Sequence, residues 1–475
     1  MDQANDTFNA VNKEIKKDYR SLRNRILSIL LDHAFLSEKV VPTFPNYPVI
    51  PNERCGLWYC DPTSFQQTSY FKSTDGHTNQ WDFSTRRLNF HLLPTIAQHG
   101  GVVIVDSTRR GKKIPDALSK TVPIWCAVLN SLMLEYRGLE DKVLFCPPNT
   151  VPPSEIDRIK KKIPSLMLKL QQLNVITGKE IYDMLGGKLL RPIWVYPGCS
   201  ILESNTDVFT GEPMPCNAWE NSEKDSILPI ILCTASYQCQ DGVDKRLGFT
   251  YVQGAADDHE SWAKGLTPAV FWENVSAFKD SVVSEQMLER LIEEKTILES
   301  NCNVGLSTGA ANFAQADQIT GELYLGCLIQ KCELSEAMIR NLLSKYGIII
   351  CFTKTSLIAN KEDQPRIICY PLESDSKKSS RELRVKLPGI CNLIKSSIQK
   401  SSPILVCCDT GRDISVGVIL AALCENYDEN WSMTSPQSVS KITIRKHLSK
   451  VITKLNGRNV NPSRATLNSI NAYLM

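Results

Sequence analysis

Apolar positions along the chain alternate between short continuous runs and stretches of helical period. Within 8–36, Leu22, Ile26, Ile29 and Leu30 recur at helical spacing, and Lys13, Lys16, Lys17, Arg20, Arg23 and Arg25 cover much of the rest. The pattern predicts a long amphipathic helix, with its basic side either solvated or touching phosphate. After a Pro-rich stretch, "LWYC" (57–60) and "VVIV" (102–105) read as buried strands with a helix around 88–98 between them. A helix follows over 119–134, and "PPNTVPPSEIDRIKKK" marks another, with Ser154 as its N-cap. Residues 191–198 and 227–236 are strand-like, separated by a polar loop. Strands alternating with helices predict an α/β domain with a parallel or mixed sheet. The pattern loosens over 299–318 and then resumes: "LYLGCLI", a helix at 335–345, "GIIICF", a polar loop at 358–379, a helix near 381–399, "PILVCCD" and helical ends. The expected organisation is an α/β domain over 1–300, a linker over 301–318 and a second α/β domain over 319–475.

A chain of 475 residues is too long for one ordinary core, which agrees with two domains. Its formal net charge of +3 excludes a strongly basic coating protein, so any polyanion site must come from local clustering. No N-terminal apolar leader and no apolar run long enough to span a bilayer are expected. Seventeen cysteines without a secretory leader suggest free thiols in a reducing compartment, and their spacing with six histidines argues against a structural zinc. The expected protein is a cytoplasmic monomer with no membrane association.

The chemistry concentrates at "DSTRRGKK" (106–113), directly after an apolar strand. Ligands of open α/β sheets sit beyond the carboxyl ends of strands. There Asp106 is suited to holding a magnesium ion, a proton or a ribose hydroxyl. Ser107, Thr108 and Gly111 offer hydroxyls and backbone N–H groups for an anion nest. Arg109 and Arg110 grip phosphate bidentately, and Lys112 and Lys113 act as point charges. The glycine spacing is not that of a Walker A loop. A second turn, Lys72, Ser73, Thr74, Asp75, Gly76 and His77, repeats the hydroxyl-and-glycine chemistry. Asp116 and Lys120 follow the first loop. A third stretch, Gln253 to Trp262, supplies Asp257, Asp258 and His259, either as groups facing the basic loops or as a helix start capped by Asp258.

Together "KSTDGH", "VIVDSTRRGKKIPDALSKTVPIWCAVLN" and "YVQGAADDHESWAKGLTP" resemble the initiator-tRNA 2′-O-ribosyl phosphate transferases over nearly the whole chain. The resemblance implies transfer of a phosphoribosyl group from 5-phosphoribosyl 1-diphosphate to the 2′-hydroxyl of adenosine 64 in the T stem of initiator methionine tRNA, which helps exclude that tRNA from elongation. It implies Mg2+ as cofactor and residues 1–300 as the donor- and tRNA-binding domain. Arg109, Arg110, Lys112 and Lys113 would stabilise charge on the departing diphosphate, Asp106 would hold the metal or ribose hydroxyls, and Asp75, Asp116 or His77 would be the base. Ordinary phosphoribosyltransferases carry two adjacent acids before a Thr-Gly-rich loop, whereas here Ser107 follows Asp106, so their fold is not carried over.

The C-terminal pattern is similar to a dual-specificity phosphatase domain. The family's His-Cys-x-x-Gly-x-x-Arg-Ser loop aligns with Cys407, Cys408, Asp409, Thr410, Gly411, Arg412, Asp413, Ile414 and Ser415. Ile414 stands where the phosphate-gripping arginine belongs, so a Cys408 thiolate loses its main cationic support and phosphatase activity is not expected. Asp375 occupies the general-acid position. The loop is then expected to bind the donor or RNA. Lys441, Arg445, Lys446, Lys450, Lys454, Arg458 and Arg464 follow an RNA backbone or form a solvated face. The alternative to the transferase is a degenerate phosphatase-type RNA-binding protein without catalysis.

Overall fold

The computed structural model describes residues 21–53, 55–139, 143–202, 218–279, 284–301, 314–328, 334–354, 357, 366–374, 376–434, 438–455 and 460–475. The chain divides into two compact units: Met1–Ser84, Leu92–Gln172 and Ile176–Ser300 form one, and Thr85–His91, Leu173–Val175 and Asn301–Met475 the other.

The first unit is built on four strands, β1 (Val49–Pro51), β2 (Val102–Asp106), β3 (Leu189–Val195) and β4 (Ile227–Thr234), in the order β1-β2-β4-β3 and all parallel. Every residue of β2 is buried, which is why it reads as an unbroken apolar run. Register sets Asp106 beside Thr234 and Val105 beside Pro51, so β1, β2 and β4 end at one rim. The helices are α1 (Leu22–Phe35), α2 (Leu92–His99), α3 (Val122–Tyr136), α4 (Pro153–Gln171) and α5 (Gly178–Leu185). A hairpin of β5 (Val243–Arg246) and β6 (Phe249–Val252) then leads into α6 (His259–Trp262), α7 (Pro268–Glu273), α8 (Val275–Lys279) and α9 (Glu285–Asn301).

Several expectations are corrected. "LWYC" is not a strand; Gly56–Trp58 is a 3-10 turn, apolar because Trp58, Tyr59 and Cys60 are fully buried. A Cβ at Gly56 would stand 2.3 Å from the Val105 carbonyl oxygen, so this backbone lies directly on the end of β2. The first strand lies instead in the Pro-rich stretch, where an edge position tolerates Pro51. Ser154 does not cap α4; Pro152 takes that position and Pro153 starts the helix, where a missing N–H costs nothing. In α1, Arg25 donates to Ala255 O (2.7 Å) and lies over the Trp262 ring, and Arg23 donates to Gly248 O (3.2 Å). Those two arginines hold the unit to itself, while Lys13, Lys16, Lys17 and Arg20 lie outside the described residues. Ala117–Tyr136 is long and apolar enough to cross a membrane, against expectation, but that window is entirely buried within the protein.

Among the described residues the second unit has five strands, β7 (Ala314–Gln318), β8 (Leu323–Leu328), β9 (Ile348–Phe352), β10 (Ile367–Tyr370) and β11 (Ile404–Cys408), in the order β10-β9-β11-β8-β7. Only β7 is antiparallel to its neighbour. Its helices are α10 (Glu336–Lys345), α11 (Lys377–Gln399), α12 (Ile414–Asn426), α13 (Lys441–Lys454) and α14 (Arg464–Leu474). β7 occupies the end of the stretch expected as linker, and β10 lies inside the stretch expected as a polar loop.

Asn130, fully buried on α3, guards the edge strand β3. Its Nδ2 donates to Leu190 O and its Oδ1 accepts from Leu190 N–H, both at 2.9 Å. Asn130→Leu strands two buried backbone groups, so it should destabilise the protein by about 2 kcal/mol. Urea unfolding should show a lower midpoint with an unchanged slope; an unchanged midpoint would mean that water replaces the amide.

Candidate active site

A cleft of about 420 Å³ opens beyond the strand ends of the first unit, within the size range of small-molecule sites. Its lining brings together Lys72, Ser73, Thr74, His77, Asp106, Ser107, Thr108, Arg109, Arg110 and Lys112 from the two predicted loops, with Asp116, Asp257 and Asp258. Asp75, Gly76, Gly111 and Lys113 are not part of the lining.

Asp106 is 5% exposed. Its Oδ2 accepts from Asn52 Nδ2 (2.9 Å) and its Oδ1 from the Ser107 N–H (2.8 Å). Asn52, the first residue past β1, also exchanges hydrogen bonds with both backbone groups of Phe71 (2.9 and 2.7 Å). One buried amide therefore joins the β1 end, the second loop and the strand-end carboxylate. Sequence reasoning missed it; the signal was a polar residue directly after "VIP".

The basic loop is folded back by its neighbours. Thr108 N–H donates to Ser236 Oγ (3.2 Å), and that hydroxyl donates to Thr108 O (3.1 Å). Gln253, 3% exposed, accepts from Gly111 N–H (2.9 Å) and donates to Lys112 O (2.7 Å). Gly111 has φ +72°, and a Cβ there would stand 2.9 Å from Gln240 O. Gly254, φ +65°, brings the third stretch so close that its Cβ would stand 2.6 Å from Thr108 O. The glycine within "RRGKK" thus serves a tight turn and a close approach. The expected anion nest is corrected by the same contacts: the N–H groups of Ser107, Thr108 and Gly111 are all taken inside the protein, leaving side chains to meet a ligand.

Those side chains are balanced by acids. Arg109 Nε pairs with Asp257 (2.9 Å), and its Nη1 with Asp258. Asp258 does occupy the N-cap of α6, but with φ +52° and no side-chain cap bond, because its carboxylate reaches the arginine. Lys113 Nζ lies over the Tyr196 ring (4.3 Å). Lys112 reaches Asp116 (2.9 Å), which also meets His77 Nε2 (3.6 Å) and Lys120 (3.3 Å). Lys120, 8% exposed, bridges on to Glu155 (3.3 Å), which accepts from Trp81 Nε1 (3.0 Å). Burial alone would raise the Asp116 carboxyl; Lys112 and Lys120 outweigh it and hold it below the usual range. Burial likewise opposes Glu155, and Trp81 and Lys120 outweigh it. Gly76 packs where a Cβ would stand 2.7 Å from Asp116 O, docking the second loop on this network.

Among the described residues, no group of three or more Asp, Glu, His or Cys could hold a metal ion.

In the second unit the Cys408 loop is closed on itself. Gly411 N–H donates to Cys408 Sγ (3.2 Å), Thr410 N–H to Asp409 Oδ1 (2.9 Å) and Arg412 N–H to Thr410 Oγ1 (3.3 Å). Ser415 Oγ stands 3.0 Å from Cys408 Sγ, and buried Asp413 accepts from Ser463 N–H (2.8 Å). Ile414 is fully buried. Of the loop Cys408 to Ser415, expected to cradle an anion, the N–H groups of Thr410, Gly411 and Arg412 already have acceptors within the chain. Asp375 lies outside the described residues.

A parallel sheet with a charge-lined cleft at its strand ends, joined in one chain to a mostly parallel α/β unit carrying a cysteine loop, defines a two-unit α/β protein. The chain belongs to the Rit1 family: the Rit1 N-terminal domain matches residues 15–297, and the Rit1 DUSP-like domain matches 366–474. It is 53% identical to the tRNA A64-2′-O-ribosylphosphate transferase of Saccharomyces cerevisiae, over 99% of this chain and 95% of that one. It is 33% identical to an uncharacterised protein of Schizosaccharomyces pombe, over 99% and 97%. Among solved structures, a human tyrosine phosphatase-like serine/threonine/tyrosine-interacting protein is 16% identical over 33% of this chain and 94% of its own, with a TM-score of 0.25. A leucine rich repeat and phosphatase domain containing protein from Entamoeba histolytica is 14% identical over 33% and 89%, with a TM-score of 0.23.

Both carboxyls of the Asp116–Lys120–Glu155 bridge are depressed, so its contribution is present above their ordinary values and is lost as pH falls below them. Lys120→Met removes the shared cation and should destabilise the protein by about 3 kcal/mol at neutral pH. The loss should shrink toward about pH 4, where protonation relieves the stranded carboxylates. Urea unfolding across that range checks this, and a loss that does not vary with pH would remove the bridge from the stability of the site.

Proposed function

We propose that the chain is a tRNA 2′-O-ribosylphosphate transferase, moving the phosphoribosyl group of 5-phosphoribosyl 1-diphosphate onto the 2′-hydroxyl of adenosine 64 of initiator methionine tRNA. The observation that carries the reading is the near full-length likeness to the yeast transferase at 53% identity. In the reaction the 2′-oxygen attacks C1 of the donor, the C1–diphosphate bond breaks, the electron pair leaves with the diphosphate, and the hydroxyl proton goes to a base.

The cleft supports roles for its own residues. Arg109, Arg110 and Lys112 face the growing charge of the diphosphate, where fixed cations act most strongly on the transition state. Arg109 is held at the mouth by Asp257 and Asp258, so donor phosphates compete with carboxylates for it. The hydroxyls of Ser73, Thr74, Ser107 and Thr108 suit ribose and phosphate oxygens. Of the candidate bases, His77 and Asp116 share the lining and a 3.6 Å contact whereas Asp75 is outside it, which favours His77 with Asp116 orienting it. Mg2+ would neutralise diphosphate charge, with Asp106, the most buried carboxylate of the lining, as the protein group to hold it. A reducing cytoplasm suits the seventeen cysteines.

Incubation with labelled donor and initiator tRNA tests the reading; a chain that binds the tRNA without labelling it would be the non-catalytic RNA-binding protein instead. Arg109→Ala and Lys112→Ala should each lower transfer roughly a hundred- to a thousand-fold with the fold intact. Asp106→Asn should match them and blunt the response to magnesium. Full activity in the first two variants would place the donor elsewhere, and an unaltered magnesium titration in the third would leave Asp106 a structural role.

The closed cysteine loop leads to a separate expectation. Cys408→Ser preserves the small side chain that accepts the Gly411 N–H, so it should keep most transferase activity, and neither form should hydrolyse a generic aryl phosphate. A dead Cys408→Ser enzyme with normal stability would revive covalent chemistry at this thiol.

A further inference from the structure

The second unit carries a cavity of about 160 Å³ lined by Arg86, Lys441, Arg445 and Arg464, with Asn468 and Asn471. Among the described residues, no carboxylate lines it. We propose that it is an anchor for a phosphodiester of the RNA backbone, a site separate from the transfer chemistry that rests on the reading of the substrate as tRNA.

The argument starts from how α13 distributes its cations. Lys446 pairs with Glu429 (2.6 Å), Lys450 Nζ donates to Glu429 O, and Lys454 Nζ donates to Ile319 O (2.9 Å) and lies 5.5 Å from the centre of the Trp431 ring. These three, four residues apart, share one face that is spent on the protein itself. Lys441 and Arg445 recur at the same spacing on another face and are exposed. Among the described residues they form no ion pair, nor does Arg464. Arg464, Asn468 and Asn471 stand on one face of α14, so two helix faces form the groove. Arg86 joins it from the Thr85–His91 segment, which belongs to this same unit, with its Nη2 donating to Pro462 O (3.2 Å).

Lys441, Arg445 and Arg464, converging without an ion pair among the described residues, want a multiply accepting anion, and the two asparagine amides add neutral donors. The cavity is smaller than the roughly 300 Å³ at which small-molecule sites begin, so it fits one phosphate group better than a whole nucleotide. Interactions of this kind position an RNA without reading its sequence. Of the C-terminal basic residues, the structure thereby separates Lys441, Arg445 and Arg464 from Lys446, Lys450 and Lys454; Arg458 lies outside the described residues.

The test compares the full chain with Arg445→Ala/Arg464→Ala, using initiator tRNA transcript, labelled donor and direct binding at several salt concentrations. The double variant should raise the KM for tRNA with kcat and the KM for donor unchanged. It should bind tRNA more weakly and flatten the salt dependence by roughly 0.7–0.9 in log–log slope for each phosphate that is no longer neutralised. Arg445→Lys/Arg464→Lys should recover most of the binding. Lys446→Ala/Lys450→Ala should leave the salt slope as it is. Equal tRNA affinity and slope in wild type and double variant would overturn the anchor, as would a Lys446/Lys450 variant with the same defect. A raised donor KM or weakened binding of inorganic phosphate, with tRNA unaffected, would assign the cavity to a small phosphate compound and also overturn it. A wild-type chain that binds tRNA but transfers nothing refutes the transferase reading while the anchor stands on its binding data; one that does not bind tRNA refutes both.

Discussion

A carboxylate at the buried end of a parallel strand must be hydrogen-bonded, because an unpaired charge in that position costs several kcal/mol. Asp106 meets this constraint through Asn52 and the Ser107 N–H, and the arrangement of the cleft follows. Asn52 is engaged at the same time with Phe71, so whatever fixes the Asp106 carboxylate also fixes the entry to the Lys72–His77 turn. That turn is pressed by Gly76 onto the segment carrying Asp116 and Lys120. Two loops far apart in sequence are thus held by one amide and one glycine.

The same economy governs the cations. The proposed donor cleft is not a positive hole: Arg109 and Lys112 each have an acid, and Lys120 is buried between two. Pre-pairing keeps long side chains ordered, and in return any anionic ligand of the cleft must displace a competitor. The α13–α14 cavity is organised the other way, with cations and amides and, among the described residues, no carboxylate in its lining. The contrast matches two tasks, since a reaction site has to position charge within ångströms whereas an RNA-backbone anchor works through net attraction and counterion release.

Much of the layout was legible in the chain. Apolar runs that must be buried on both faces gave β2, β4, β8, β9 and β11, and helical periodicity gave α3, α4, α10 and α11, since burial imposes these periods wherever a regular element packs on a core. The clustering of hydroxyls, glycines and charges after β2 located the cleft, since strand ends of a parallel sheet are where side chains escape the core. "LWYC" failed for the same physics: burial demands apolar residues whether the backbone is extended or turned, and only the fold decided that Trp58 sits in a turn under the end of β2.

What tertiary structure alone decided is which polar group is spent on which. Sequence supplied Arg25, Lys113, Lys446 and Lys450 as cations indistinguishable from Arg110 or Arg445. Interactions with Ala255, Tyr196 and Glu429, distant in the chain or met only across a turn, took the first four out of play. The N–H groups of Ser107, Thr108 and Gly111 were likewise free on paper and are claimed by Asp106, Ser236 and Gln253. By itself the sequence determined the fold class, the strand-end loops and the chemical types available there, because those depend on local period and residue chemistry. Which charges remained open to a ligand had to await the fold, because hydrogen-bond and ion-pair partners are assigned by proximity in space.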